Sequence, residues 1–223
     1  MINNFKKVTI ISPHPDDETV AAGGTILRLK DQGSEISCLV VSGHLPPVYP
    51  KSSYEITKKE SLKAFKKYGI KNSEFLEIPA TKVHEKPVTE LNNLIFNHIN
   101  HFKPELLLIP FPDRHIDHRV IFNSSLVASR PNLNFFPKVI LAYETLSETH
   151  WNAPHIEPNF IPNFFINISN YINEKIQISS YYKSQIKNNP ARSISAIEAL
   201  AKFRGSQNGF KYAEAFQVIR IIL

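Results

Sequence analysis

Two stretches of this sequence share one layout, an apolar strand, a polar turn and a helix, and that repetition constrains the fold more than any other feature. Lys7-Val8-Thr9-Ile10-Ile11 is a β-branched run that reads as a buried strand. It enters Ser12-Pro13-His14-Pro15-Asp16-Asp17-Glu18, after which Val20, Ala21, Ile26, Leu27 and Leu29 recur at helical spacing as far as Gly33. Residues 104–110 are apolar enough for a central strand buried on both faces. They lead into Phe111-Pro112-Asp113-Arg114-His115-Ile116-Asp117-His118-Arg119, and 120–129 has helical periodicity. Between the two units the pattern predicts a strand at 35–42, a helix at 54–68 stopped by Gly69, a short strand at 75–79 and a helix at 88–101. Such alternation predicts an α/β fold, a mostly parallel sheet with helices on both faces. Ligands of these sheets bind beyond the carboxyl ends of the strands, so both polar turns belong on one rim.

In the first turn, Pro15 keeps His14 out of the α region and Pro13 does the same to Ser12, which makes the turn stiff. Asp17 and Glu18 stand where the helix begins, and its dipole favours their ionised forms. Neighbouring residues in a tight turn point different ways, so one of Asp16 and Asp17 can bind a metal beside His14 while the other faces substrate. Gly23 and Gly24 inside a helix cost about 1 kcal/mol each relative to Ala, which predicts close approach of another backbone. A lone His-Asp pair would read as a polar helix cap; His-Pro-Asp-Asp-Glu at the end of a strand is far more specific. In the second turn His115 and His118 share a face if the segment is helical. His118 joins His14 and Asp17 as a third metal ligand, His115 stays beside the metal as a hydrogen-bond donor, and Asp117 orients an imidazole from behind.

With 223 residues, 42% of them hydrophobic, the chain is expected to form one domain over 1–223, in which 1–130 carries the motifs and 131–223 completes the pocket. Met1-Ile2-Asn3-Asn4 leads directly into the first strand with no visible signal peptide, and no apolar run approaches membrane length. Cys38 is the only cysteine, which excludes an intrachain disulfide and sets a cytoplasmic location as the expectation. The formal charge is +6, yet the basic residues do not interleave with aromatics and no nucleic-acid motif occurs, so nucleic acid is not an expected partner. Lys59, Lys63, Lys66 and Lys67 read as a solvated helix face opposite Leu62 and Phe65. Cys38 reads as strand packing and His98 as a core-edge histidine. The proline-rich loop 44–50 is placed to wall the site, with His44 at the surface.

The two motifs, with Gly23-Gly24, resemble those of the PIG-L/LmbE-like family of zinc-dependent de-N-acetylases. The likeness continues through Tyr143-Glu144, Ser147-Glu148-Thr149-His150-Trp151, the stretch 162–169 and Tyr182-Lys183-Ser184-Gln185. The ending Ala201-Lys202-Phe203-Arg204-Gly205-Ser206-Gln207 with Tyr212-Ala213-Glu214-Ala215-Phe216 is similar to the bacterial bacillithiol-type branch, so the resemblance spans nearly the whole chain. Ile116 stands where the family usually has Pro, Ala21-Ala22 replaces a more usual Gly-Cys pair, Asn167 replaces a frequent Asp, and loop 44–50 is longer than usual.

This resemblance implies a Rossmann-like three-layer sandwich whose active site lies at the carboxyl ends of the strands. It also implies a hydrolase that removes an N-acetyl group from an amino-sugar derivative, such as an N-acetylglucosaminyl compound, to give acetate and a free amine. The implied site holds one Zn2+ per chain on His14, Asp17 and His118, with an open fourth position. Fe2+ and Mn2+ suit the same two imidazoles and carboxylate. Asp16 is the implied general base. A protonated or hydrogen-bonded His115 stabilises the oxyanion, with a carboxylate such as Asp117 raising its pKa and Asp117 orienting His115 or His118. The expected partner is a small amino-sugar substrate, and a homo-oligomer is compatible with this. A magnesium phosphohydrolase built on Asp16 and Asp17 is a rival that the three histidines oppose, because magnesium prefers oxygen ligands. A non-catalytic sugar- or metal-binding module is another, opposed by the extra carboxylate of Asp16 beside a full ligand set.

The last third of the chain reads as scaffold. Trp151, Phe164 and Phe165 are expected to pack, and Lys175, Ile176, Ser179 and Tyr182 to form an ordinary amphipathic helix. Arg204 and Glu214 are expected to pair and hold the C-terminal segment, the alternative being that they line the pocket mouth. His150 and His155 stay outside the site.

Overall fold

The computed structural model describes residues 5–222 except 152, 154 and 188; the reading of Met1-Ile2-Asn3-Asn4 lies outside them. Seven strands, β1 (Lys7–Ser12), β2 (Glu35–Gly43), β3 (Asn72–Pro79), β4 (Leu106–Pro110), β5 (Val139–Tyr143), β6 (Phe164–Asn167) and β7 (Ala213–Ile221), form one sheet in the order β3-β2-β1-β4-β5-β7-β6. The first five run parallel, and β7 is antiparallel to both its neighbours. Helices α1 (Asp17–Asp31), α2 (Lys51–Tyr68), α5 (Ile172–Ser179) and α6 (Ile194–Ser206) cover one face, while α3 (Val88–Phe102) and α4 (Ile116–Ala128) cover the other. This is the three-layer α/β arrangement that the alternating pattern predicts.

The apolar run in β4 explains why that strand is central. Leu106 and Leu108 pack with Ile26 and Phe65 on one face, Leu107 and Ile109 with Leu91, Ile95 and Ile121 on the other, and all four β4 residues are fully buried. Period-two geometry sends alternate side chains to opposite layers, and each such burial contributes about 1.5–3 kcal/mol. The strand order reverses between β1 and β4, and in open α/β sheets the crevice at such a reversal is where ligands bind. The His14 turn leaves β1 and the 111–118 turn leaves β4, so the two motifs face each other across that crevice.

Helix α1 is kinked at Ala22 (φ −131°, ψ 15°). The amides freed there, Gly24 N–H and Thr25 N–H, donate to the Glu214 carboxylate at 2.8 and 2.7 Å, and Lys175 Nζ lies 2.5 Å from the same group. Side chains, not another backbone, demand the glycines: a Cβ on Gly23 would stand 2.6 Å from the Tyr68 hydroxyl, and one on Gly24 2.8 Å from Ile168. Glu214 therefore pairs with buried Lys175, and Arg204 pairs with Glu144 through Nε and Nη2 at 2.8 and 2.6 Å, which overturns the expected Arg204–Glu214 pair. Trp151 and Leu62 also depart from expectation, at 64% and 47% exposed. Cys38 and His98 are buried as expected, His98 between Ser37 Oγ (3.3 Å) and Glu74 Oε2 (2.8 Å). Among the described residues no helix is long and apolar enough to cross a membrane.

Candidate metal and catalytic centre

The turn after β1 is fastened from below. The Pro13 carbonyl accepts from Ser42 N–H (2.9 Å) and Ser42 Oγ (2.8 Å). Glu18, fully buried, accepts from the Tyr182 hydroxyl at 2.5 Å and Thr19 Oγ1 at 2.8 Å, and lies 2.9 Å from Ser12 Oγ and 3.4 Å from Asp16 N. Burial raises the Glu18 pKa despite these bonds and the helix dipole. Held between these anchors, Asp16 has φ 121° and ψ −25°, a conformation that costs a non-glycine residue about 1–3 kcal/mol. Its side chain does not cap α1, and both carboxylate oxygens are buried without a hydrogen-bond partner. Asp17 turns the other way, so the two adjacent carboxylates do face different surroundings.

Asp17 Oδ2 is the focus of two imidazoles. His14 Nδ1 lies 3.0 Å from it and His118 Nε2 3.4 Å. Each ring is held from behind by a different carboxylate: His14 Nε2 is 3.1 Å from Asp117 Oδ2, and His118 Nδ1 is 3.0 Å from Asp113 Oδ2. Those partners would keep the outer nitrogen of each ring as the N–H when a metal displaces the inner proton, so that the inner nitrogen could offer its lone pair to the centre. His118 Nε2 is buried and has no hydrogen-bond partner. Ligands about 2.0–2.1 Å from a tetrahedral divalent ion stand about 3.3 Å apart, so the Asp17 contacts have the spacing of a ligand set. The donor chemistry and this spacing fit a transition-metal ion. Ring nitrogens of His14, His115 and His118 also lie within 4.8 Å of one another.

The electrostatics fit as well. Burial disfavours a charged His14, yet hydrogen bonds to Asp117 and Asp17 raise its pKa to about 9. For His118 burial is likewise outweighed, by Asp113 and Asp17, and its pKa stands at about 10. Burial opposes ionisation of Asp17, but the imidazoles of His118 and His14 beside it hold it well below the usual carboxylate range. Asp16 is raised to about 8 by burial, against the pull of Arg192 and with the push of Asp17 and Glu18. Without a metal ion beside it Asp16 therefore keeps its proton through the neutral range; a divalent ion at the neighbouring trio would favour the ionised form and fit this carboxylate, which makes no hydrogen bond, to accept a proton.

The PIG-L family, described as GlcNAc-PI de-N-acetylase, matches residues 9–129, more than half of the chain. The protein belongs to that family. Over 233 aligned positions it is 26% identical to the diacetylchitobiose deacetylase of Thermococcus kodakarensis, covering 97% of this chain and 84% of that one. It is 23% identical over 196 positions to a Bacillus anthracis protein named "Probable N-acetyl-alpha-D-glucosaminyl L-malate deacetylase 2", covering 82% and 83%. Its fold is shared with an N,N'-diacetylchitobiose deacetylase from Pyrococcus horikoshii, at TM-score 0.78 and 21% identity over 97% of this chain and 84% of that one.

In this PIG-L chain His115 differs from expectation. It is the N-cap of α4, and its Nδ1 accepts the Asp117 N–H at 3.2 Å. Its ring stacks on His118 (centroids 5.0 Å apart) and meets His14 edge-on (4.4 Å). Burial, followed by the charges of His14 and His118, lowers its pKa to about 4; Asp117 pulls upward and does not prevail. The ring is neutral, with Nε2 carrying the proton, so it donates without being charged. Asp117 orients His14 and accepts from Thr81 N–H (2.6 Å), where the sequence had suggested His115 or His118.

Two contributors escaped the sequence reading. Asp113, which orients His118 and accepts from Thr149 Oγ1 at 2.9 Å and His115 N–H at 3.0 Å, lies inside the second motif, five residues before its histidine. Arg192, whose Nη2 is 3.3 Å from Asp17 Oδ1, carries no motif signal. His44 is half-buried, not a plain surface residue: its pKa falls to about 4 through burial and the charges of His14 and Arg192, which puts loop 44–50 at the rim of the site. A cavity of about 870 Å3 between Phe135, Phe164 and Ile221 lies by the amino ends of β4 and β5 and shares no residue with this centre.

Proposed function

We propose that this protein is a metal-dependent N-deacetylase of N-acetylglucosaminyl compounds in which His14, Asp17 and His118 hold one divalent ion, Zn2+ foremost, Asp16 is the general base and His115 the oxyanion donor. The observation that carries the reading is the pair of carboxylate-backed imidazoles converging on one Asp17 oxygen, beside a buried Asp16 whose oxygens make no hydrogen bond. The relatives named for diacetylchitobiose and for an N-acetylglucosaminyl malate support an N-acetylated glucosamine as substrate. A buried free thiol, Cys38, is at home in the cytoplasm.

His14, Asp17 and His118 would hold the ion, which would supply Lewis acidity toward the acetamide carbonyl and toward the attacking water. Asp16 takes the proton of the attacking water as its oxygen bonds to the carbonyl carbon. His115 Nε2–H donates to the oxygen that becomes negative, a contribution of about 3–4 kcal/mol for a well-placed donor. Asp16 then returns its proton to nitrogen as the carbon–nitrogen bond breaks, giving acetate and the amine. Arg192 beside Asp16 and Asp17, and Glu148, which lies within electrostatic reach of His118 and Arg192, bring the segment 131–223 to the pocket around these groups.

The test is acetate release from N,N'-diacetylchitobiose and from N-acetylglucosaminyl malate by wild type, Asp16→Asn and Asp17→Asn, with metal content measured on each. Asp16→Asn should keep its metal and lose about 10²-fold or more in turnover, while Asp17→Asn should lose metal. Equal loss of metal from both would refute the division between the carboxylates. Metal-loaded wild type that deacetylates neither compound would refute the substrate class.

A further inference from the structure

We infer that Arg192 is a positioning residue that holds Asp17 as a one-oxygen ligand, an inference that rests on the metal reading above. The two oxygens of Asp17 face different partners. Oδ2 is 3.0 Å from His14 Nδ1 and 3.4 Å from His118 Nε2, and accepts the His14 N–H at 3.1 Å, whereas Oδ1 accepts from Arg192 Nη2 at 3.3 Å. The same guanidinium reaches the second carboxylate, its Nε lying 3.7 Å from Asp16 Oδ2, buried and without a hydrogen bond. Its backbone is fixed on both sides: Arg192 N–H donates to the Asn189 carbonyl at 3.0 Å, and Ser193 caps α6 by accepting from Ala196 N–H at 3.2 Å.

A planar, always-charged fork suits this task better than a flexible ammonium. With Oδ1 tied down, the carboxylate presents Oδ2 alone to the centre and cannot rotate to chelate with both oxygens, so a coordination position stays free for substrate. Hydrogen-bonded partners of ligating carboxylates commonly control affinity in this way. A cation beside a dication also acts in the opposite sense, because like charges repel. The direction of the affinity change when Arg192 is removed therefore separates a positioner from a mere neighbour.

The experiment measures Zn2+ affinity of the metal-free protein by competition with a fluorescent chelator, for wild type, Arg192→Ala, Arg192→Lys and Asp17→Asn, with kcat and KM for acetate release. Arg192→Ala should bind Zn2+ about 10–100-fold more weakly and lose kcat with little change in KM. Arg192→Lys keeps the charge without the fork and should still bind more weakly than wild type. That variant carries the test by itself if the Ala variant does not fold. Unchanged or tighter binding in Arg192→Ala, or wild-type binding in Arg192→Lys, would overturn the inference. Wild type that binds no Zn2+, or Asp17→Asn that binds as wild type does, would overturn the underlying metal reading instead.

Discussion

Removing the Glu214 carboxylate should unsettle the protein more than any surface charge change. Glu214 and Lys175 expose only 3% of their side chains each, and the same carboxylate accepts the Gly24 and Thr25 amides freed by the kink in α1. In Glu214→Ala the Lys175 ammonium is stranded in the interior, a loss of about 3–5 kcal/mol for breaking a buried pair. Each amide left without an acceptor adds up to about 1–3 kcal/mol, reduced where water enters the space left by the side chain. A total of about 4–6 kcal/mol follows. At about 2–4 °C per kcal/mol for a chain of this size, the melting temperature should fall by roughly 8 °C or more. Thermal and guanidinium melts of the metal-free protein measure this, and hydrogen exchange at Gly24 and Thr25 should accelerate with it. The double variant Lys175→Met with Glu214→Gln removes both charges and should recover at least half of the loss. A shift below about 3 °C in Glu214→Ala, or a double variant as unstable as the two single ones added together, would refute the reasoning.

Metal uptake should release protons. In the metal-free protein His14 and His118 are charged up to about pH 9 and 10 and Asp16 keeps its proton up to about pH 8; a metal needs the ring lone pairs and favours an ionised Asp16, so binding between pH 6 and 8 should expel about two to three protons and tighten steeply as pH rises. Calorimetry in buffers of different ionisation enthalpy checks this, and release near zero would mean the rings are already neutral. Asp113→Ala should weaken metal binding about 10–100-fold, because His118 loses the partner of its Nδ1–H; an unchanged affinity in chelator competition would exclude that role.

Much of this protein is local in origin and therefore legible in its sequence. Short-range periodicity marks β1, β4 and the helices after them, and prolines stiffen the first turn. Reversal of strand order beside β1 is what parallel connections of this kind produce, so the meeting of the two motifs could be anticipated, as could the different facing of Asp16 and Asp17. Strands β5 and β7 were not foreseen: Val139–Tyr143 is a five-residue run after an irregular stretch, and the alternation of Ala213–Ile221 is interrupted by Glu214, Gln217 and Arg220. Neither pattern outweighs a loop until a neighbouring strand supplies hydrogen bonds. Charge partners were still less accessible. Successive side chains at the start of α4 diverge, so Asp117 leaves adjacent His118 and reaches His14, 103 positions away, while Asp113 reaches His118 from five residues before it. Glu214, Lys175, Arg204 and Glu144 pair according to which side chains the packed layers bring within 3 Å. Arg192 meets Asp17 across 175 positions for the same reason. Sequence thus determined the motif-bearing elements and the reactive groups, through forces acting over a few residues. Tertiary structure alone decided which charges face each other, because that depends on distances that exist only after the layers have packed.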